Sequence, residues 1–294
     1  MPSDCFSTEK LGRRFTLHNA DCIAGMREKL AKGSVDVVVT SPPYNLGIKY
    51  KSYDDARPRQ EYLKWLGEWA GVVKDALSDR GSLFLNVGGK PSDPWVPFEA
   101  LAEMRKHFCL QNTIHWIKSI AIQKEDVGNY PGITQNVSVG HYKPIQGPRF
   151  LNDCHEYIFH LTKTGDVELD RLAVGVEYQD KTNVARWASA GKDKRCRGNT
   201  WFVPYQTIQS RDKERPHPAT FPVKIAQMCV LLHGLARAKL VMDPFLGIGH
   251  AAVGCVGLGV DFVGFEIDPA YFREACAVLE KAEAPKRPSQ LPLL

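Results

Sequence analysis

The chain has 294 residues, 44% of them hydrophobic, with a formal charge of +5 at pH 7 and a pI near 8.7. That length supports one large α/β domain or two smaller ones, and so small a positive excess permits an anionic partner without demanding one. The eight cysteines are scattered without a C-x-x-C pair, as in a reducing, cytoplasmic setting, and neither an N-terminal h-region nor an apolar run long enough to span a bilayer is present, so no membrane partner is expected.

In chain order, short apolar runs alternate with amphipathic segments, the pattern of a mostly parallel sheet with helices on both faces. Strands are predicted at Val35–Thr40, Ser82–Val87, Thr113–Ile117, Glu156–Leu161, Leu240–Met242 and Asp261–Phe265. Between them, EYLKWLGEWAGVVKDAL places Tyr62, Leu66, Trp69, Val73 and Leu77 on one helical face, and PFEALAEMRKHF reads as a second helix. FPVKIAQMCVLLHGLA, opened near Pro222, and DPAYFREACAVLEKA, with Asp268 as N-cap and Pro269 at the first helical position, supply two more. Two stretches break the rhythm and read as long loops on one side of the sheet. Gln123–Phe150 is rich in Gly, Pro and Asn and holds His141–Lys143. Lys181–Arg215 carries nine Lys/Arg against three acidic residues, a net of +6 that leaves the rest of the chain at −1. Trp187, Trp201 and Tyr205 are interleaved with the second, as in a surface that stacks on bases. The end of the chain, EAPKRPSQLPLL, reads as a frayed tail.

Two segments carry chemistry. In VVVTSPPYN a strand runs directly into Ser41-Pro42-Pro43-Tyr44. Parallel sheets place ligands at strand ends, and two prolines there fix an extended backbone with few N–H donors of its own. Ser41 Oγ and the carbonyls of Ser41 and Pro42 then become acceptors beside an aromatic face, which suits an exocyclic amine on a planar base that has left its duplex. Acceptors around such a nitrogen draw it toward tetrahedral geometry and free its lone pair. In LVMDPFLGIGHAAVG a strand meets a turn bearing Gly247 and Gly249, and about seventeen residues beyond Gly249 a second strand ends in Glu266. Glycines let backbone approach an adenosine cofactor, and the acid accepts from ribose hydroxyls. Gly247-x-Gly249-x-x-Ala252 also satisfies the dinucleotide fingerprint, so a nicotinamide-dependent oxidoreductase stands beside the first reading. His155, Glu156 and His160 are spaced H-E-x-x-x-H, which neither shares a helical face nor matches a zinc motif, so no metal is expected. No Pro-Cys dipeptide is present to serve a carbon-5 mechanism. Asn86, Trp116 and Lys118 are expected to end strands near the pocket.

Taken together, these segments resemble the amino-group DNA methyltransferases, which methylate N4 of cytosine or N6 of adenine from S-adenosylmethionine. Ser41–Tyr44 matches their catalytic (D/N/S)PP(Y/F) motif and DPFLGIG their methionine-side cofactor motif. RPHPATFPVKIA is similar to the segment preceding that motif, HNADC contains the Asp-Cys pair, and GFEIDPAYF matches the ribose-binding motif. The catalytic motif comes first, as in the permuted β-group. One departure is His250, where members commonly carry Thr or Ser, and it is the feature that favours a non-enzymatic, DNA-recognising reading.

The resemblance implies a Rossmann-like S-adenosylmethionine-dependent methyltransferase fold with a twisted, mostly parallel seven-stranded sheet and permuted motif order. Residues 1–164 would form the catalytic half, 165–215 a target-recognition insert, 216–282 the cofactor-binding half and 283–294 a flexible tail. Ser41, Pro42, Pro43 and Tyr44 would be catalytic. Asp21, Asp243, Pro244, Phe245, Gly247, Gly249, Glu266, His217 and Phe221 would hold S-adenosylmethionine, and Lys181, Arg186, Lys194, Arg195, Arg197 and Arg211 would contact double-stranded DNA. The Ser form of the tetrapeptide is typical of cytosine-N4 enzymes, with adenine-N6 as the alternative. A cognate restriction endonuclease, a homodimer and a prokaryotic cytoplasm are the expected context.

Overall fold

The computed structural model of the protein describes residues 4–48, 52–140, 147–186, 193–204 and 221–283. The elements run β1 (Cys5–Lys10), β2 (Arg13–Asn19), α1 (Cys22–Lys29), β3 (Val35–Thr40), α2 (Arg59–Ala76), β4 (Leu77–Val87), α3 (Val96–Met104), β5 (Cys109–Ile117) and β6 (Ile120–Ile122). After them come β7 (Val137–Val139), β8 (His155–Thr162), α4 (Thr182–Arg186), β9 (Thr200–Phe202), α5 (Val223–His233), β10 (Leu240–Asp243), α6 (His250–Leu258), β11 (Asp261–Glu266) and α7 (Pro269–Lys281).

The main sheet has the order β1-β2-β11-β10-β3-β4-β8-β5-β9. Its centre, β2 through β4, is parallel throughout, and β8 enters antiparallel between β4 and β5. The inner seven strands form the mostly parallel sheet the sequence leads one to expect, and two edge strands raise the total to nine. β1 folds back on β2 through Leu11 and Gly12, both at positive φ, and β9 adds in parallel to β5.

Strand alternation sorts the apolar residues into two cores. Val37 and Val39 of β3, with Phe15, Leu17, Val241 and Phe262, face α5, α6 and α7. Val38, with Leu83, Leu85, Met242 and Phe265, faces α1, α2 and α3. Continuous apolar strands are what burial on both faces requires. On α2, Tyr62, Leu66, Trp69 and Val73 are fully buried, the helical spacing anticipated above. Leu77, however, already belongs to β4. The helix ends at Ala76 and the strand starts without a connecting loop, absorbing the change in a bulge between the pairings Val35↔Leu77 and Val37↔Ser82. α5 is shorter than its apolar pattern because Gly234, at φ +106°, ends it. The stretch from Gln123 contains structure too, since β6 and β7 pair as a ribbon around a 3₁₀ turn at Lys124–Val127.

Of the segment 165–215, residues 165–186 and 193–204 are described, and several of them pack on the main sheet. Val174 and Trp201 are buried in the main core, Gln111 bonds both the N–H and the carbonyl of Val167, and β9 joins the sheet.

Between the layers lies a buried polar cluster. Ser82 Oγ is 3.0 Å from His160 Nε2 and 2.9 Å from His233 Nδ1, and Asn112 Nδ2 is 3.0 Å from His160 Nδ1. His160 also stacks on Phe84 at 4.6 Å between centroids, so it is a core residue and no metal ligand. Burial pushes His160 down to about 3 and His233 down to about 4. Both are neutral in the folded protein and charge more readily when unfolded, so the stability they hold is complete above about pH 6.5 and drains as pH falls toward those values. The stability difference between wild type and His233→Gln, from urea curves, should therefore shrink by roughly 3 kcal/mol between pH 7 and pH 4.

Candidate active site

Adjacent parallel strands bring the two chemical segments together. β3 and β10 pair through Val37↔Val241 and Val38↔Met242, so Ser41 and Asp243 emerge at the same sheet edge. Thr40 Oγ1 donates to Asp243 Oδ1 at 2.7 Å, tying the strand ends. β11 lies beyond β10 and delivers Glu266 to that edge, and β4, on the other side of β3, delivers Asn86.

One cavity is bordered by Ser41, Pro42, Pro43, Tyr44, Asp21, Phe221, Asp243, Pro244, Phe245, Gly247 and Glu266. Eleven of the thirteen residues expected to handle the reacting amine or the cofactor thus share one wall. Gly249 stands just behind it, at φ +88° with an added Cβ 3.3 Å from Ala275, and caps α6. Only glycine meets both demands without cost. His217 and Arg211 lie outside the described residues.

Each carboxylate of the cavity has backbone work to do. Asp243 Oδ1 also accepts from Phe245 N at 3.0 Å, and its complete burial lifts it to about 7. Glu266 accepts from Gly247 N and Asp268 N, both at 2.8 Å, and burial lifts it to about 7 as well. Asp21 caps α1 through Ala24 N at 2.9 Å. Asp268 caps α7, as the sequence indicates, through Ala270 N and Tyr271 N, while its second oxygen accepts from Ser52 at 2.6 Å. That last bond joins the loop after Tyr44 to the cofactor side. The same loop wraps buried Asp55, whose carboxylate accepts from Asn45, Leu46 and Ile48 N. His250 takes a structural role, its Nδ1 lying 2.8 Å from the Phe221 carbonyl and fixing the chain entering α5.

Behind the tetrapeptide stands a set of residues the motif does not contain. Tyr44 Oη lies 2.7 Å from Ser41 Oγ and donates to Glu156 Oε2 at 3.2 Å. Asn86 Nδ2 donates to Tyr44 Oη at 2.8 Å and to Glu156 Oε2 at 2.7 Å, and Lys118 Nζ pairs with Glu156 Oε1 at 2.9 Å. Gly88 is needed for this approach, because a Cβ there would meet Glu156 Cγ at 2.9 Å and the Tyr44 ring at 3.3 Å. Tyr62 donates to the Pro43 carbonyl at 2.9 Å, so that carbonyl is spent on structure. Asn86 and Lys118 end strands beside the site as anticipated. Trp116 is instead buried, its Nε1 donating to the Val203 carbonyl. From sequence Glu156 is the first residue of a predicted strand and part of a spacing that fits no metal, and its place beside the tetrapeptide follows from its pairing opposite Trp116 and next to Asn86↔Ile158. Among the described residues no group of three His, Cys, Asp or Glu could hold a metal ion, and no helix is long and apolar enough to cross a membrane.

The basic segment is less uniform than its composition. Lys181 is paired with Glu177 at 3.0 Å and with Asp193. Arg197 is half-buried with Nε donating to the Val174 carbonyl at 3.0 Å, and the burial lowers its affinity for its proton. Arg186, Lys194 and Arg195 are exposed, though Arg195 also donates to the Cys196 carbonyl.

A sheet of this order, with a glycine turn and an acid on one side of the switch and a proline-stiffened acceptor set on the other, defines a Rossmann-like methyltransferase. Residues 35–277 match the family described as N6_N4_Mtase, DNA methylase, and the chain belongs to it; it is an S-adenosylmethionine-dependent DNA methyltransferase. It is 30% identical over 257 residues to the Type II methyltransferase M.ScaI of Streptomyces caespitosus, covering 85% of this chain and 76% of the relative. It is 22% identical over 289 residues to the DNA adenine methyltransferase YhdJ of Escherichia coli K12, covering 96% and 88%. Among solved structures, the PvuII DNA methyltransferase, cytosine-N4-specific, superposes with a TM-score of 0.61 at 19% identity, covering 92% of this chain and 86% of that one.

Proposed function

We propose that this methyltransferase acts on the exocyclic N4 of a cytosine flipped out of double-stranded DNA. The observation that carries the reading is Ser41 Oγ at the cavity wall, a neutral acceptor held 2.7 Å from Tyr44 Oη. A nitrogen that becomes cationic on methylation gives up its proton readily, so the site requires an acceptor that orients the amine and no strong base. Ser41 and the Pro42 carbonyl supply that orientation, and the ring of Tyr44, its hydroxyl anchored, offers a face on which the flipped base stacks.

The residues fit S-adenosylmethionine, which when bound supplies an electrophilic methyl group on sulfur. Gly247 and Gly249, both at positive φ, leave the turn open to close backbone approach. Glu266 retains a lone pair on each oxygen for ribose hydroxyls. Phe245, braced by Trp65 and Trp69 at 5.8 and 5.4 Å, and Phe221 provide apolar walls, and Asp21 borders the far end. Asp243 holds the two strand ends in register.

Incubation with tritiated S-adenosylmethionine and unmethylated DNA, digestion to nucleosides and chromatography should place the label in N4-methylcytosine. Label in N6-methyladenine would overturn the base assignment and leave the fold and site in place; one relative is named a DNA adenine methyltransferase. The Type II designation of M.ScaI supports extending the proposal to a restriction-modification setting with a cognate endonuclease.

For DNA contact we assign Arg186, Lys194 and Arg195, three exposed cations among the described residues of the 165–215 segment, and leave Lys181 and Arg197 to structure. Lys194→Ala with Arg195→Ala should weaken DNA binding about tenfold at low salt and flatten its salt dependence, with Tm unchanged. Arg197→Ala should lower Tm by several degrees, because it strips a half-buried carbonyl of its donor.

A further inference from the structure

Glu156 does not itself line the cavity, yet both hydroxyls of the catalytic tetrapeptide lead to it. Ser41 can present its oxygen to a substrate amine in two ways. With its own proton turned into the cavity it meets the amine's N–H groups as a donor, which repels them. With that proton given to Tyr44 Oη it faces the cavity as an acceptor. The choice depends on where the Tyr44 proton goes, since the Ser41 Oγ to Tyr44 Oη contact at 2.7 Å accommodates either direction.

The partners of Glu156 decide the direction. An ionised carboxylate accepts and never donates. Its Oε1 is occupied by Lys118 Nζ, and its Oε2 faces Tyr44 Oη and Asn86 Nδ2. Both heads of the ion pair are largely sheltered, with 13% of the Glu156 side chain and 19% of the Lys118 side chain exposed, which strengthens the pull on a neighbouring proton. When Tyr44 donates to Glu156, Ser41 donates to Tyr44 and both bonds are made. When Tyr44 donates to Ser41, Oε2 loses a donor and the Ser41 proton is left pointing at the substrate. The first arrangement makes one more bond, and that bond ends on a charge. Asn86 Nδ2, which can only donate, contacts both Tyr44 Oη and Oε2 and so offers Tyr44 no alternative acceptor.

Building on the role assigned to Ser41, we infer that Glu156, held by Lys118 and Asn86, is a positioning residue that sets the direction of the Tyr44 and Ser41 hydroxyl protons and thereby makes Ser41 an obligate acceptor for the target amine.

A double-mutant cycle tests this with Glu156→Gln and Tyr44→Phe, each measured in single turnover on the base that the wild-type enzyme methylates, so that an error in the base assignment leaves the cycle intact. Tyr44→Phe keeps the stacking ring and removes the relay. Each single variant should lower the methyl-transfer rate about 10- to 50-fold with little change in KM for DNA or in cofactor affinity. In the Tyr44→Phe background, Glu156→Gln should have no further effect on the rate. An equal loss in both backgrounds would show that Glu156 acts by some route other than Tyr44 and overturn the inference, and an unchanged rate in Glu156→Gln would overturn it as well. Should Glu156→Gln fail to fold, Glu156→Asp takes its place in the cycle, since it keeps the charge and withdraws it by one methylene from Tyr44; the same non-additivity is expected of it.

Discussion

Tyr44→Ala is expected to reduce kcat/KM for DNA about 10³-fold, the largest loss of any single change at the reacting end of the site. Two losses combine. Removing the ring forfeits base stacking, worth about 1–3 kcal/mol. Removing the hydroxyl releases Ser41 and leaves Asn86 Nδ2 and Glu156 Oε2 without a shared partner, and a lost hydrogen bond to a charged group costs about 1.5–3 kcal/mol. Cofactor affinity should stay within twofold, because the carboxylates and glycines of β10 and β11 do not bond to Tyr44. Isothermal titration with the cofactor, run beside single-turnover methylation, checks both halves. A comparable fall in cofactor affinity would mean that the variant disturbs the whole cavity.

Asp243→Asn should separate stability from activity. The wild-type carboxyl titrates at about 7 in the fold and its ordinary value is 3.8, because full burial penalises its charge. A carboxylate raised in this way gives up stability as pH climbs from its unfolded value through its folded one, so the cost is absent near pH 4 and complete at pH 8. A neutral Asn keeps an oxygen for Thr40 Oγ1 and Phe245 N while escaping the cost. The cofactor-free variant should be more stable than wild type by roughly 3 kcal/mol at pH 8, with the advantage vanishing near pH 4. Methyl transfer should fall at least tenfold, since an amide nitrogen would replace one of the two carboxylate acceptors of Asp243 with a donor at the cavity wall. Thermal melts across pH 4–8 would decide it, and equal melts at pH 8 would show that burial does not set the charge of Asp243.

How much of this could be read beforehand follows from where each residue lies along the chain. Ser41–Tyr44, Asp243–Gly249 and Glu266 each sit at the end of an apolar strand, and a strand followed by a turn leaves a local trace. Their meeting in one cavity followed from the rule that parallel sheets bind at their carboxyl edge. Glu156 had no such trace, because its role depends on β8 pairing antiparallel with β4 and β5, and no short stretch encodes that pairing. Its neighbours His155 and His160 match no metal spacing, and in the fold one packs against His115 and Tyr157 and the other is sealed between Phe84 and Ser82. β1, β2 and β9 leave weaker traces: β1 and β9 are edge strands, and β2 opens on two exposed arginines with only Phe15 and Leu17 fully buried. The charge of the basic stretch was legible, but its pairing was not, since whether Lys181 meets Asp193 or solvent is decided by folding.

Lys10, at the end of β1, reaches the Glu280 carbonyl near the end of α7 at 2.7 Å. The first strand and the last helix of the sheet are therefore neighbours in space, although 270 residues separate that pair along the chain. A short bridge between them, with a new opening made among the exposed residues just before β9, would rewire the connectivity without moving a strand. The glycine turn would then precede the proline-stiffened one in the gene, and the same cavity would form. Which half is synthesised first is, for this architecture, a matter of genetic history and not of chemistry.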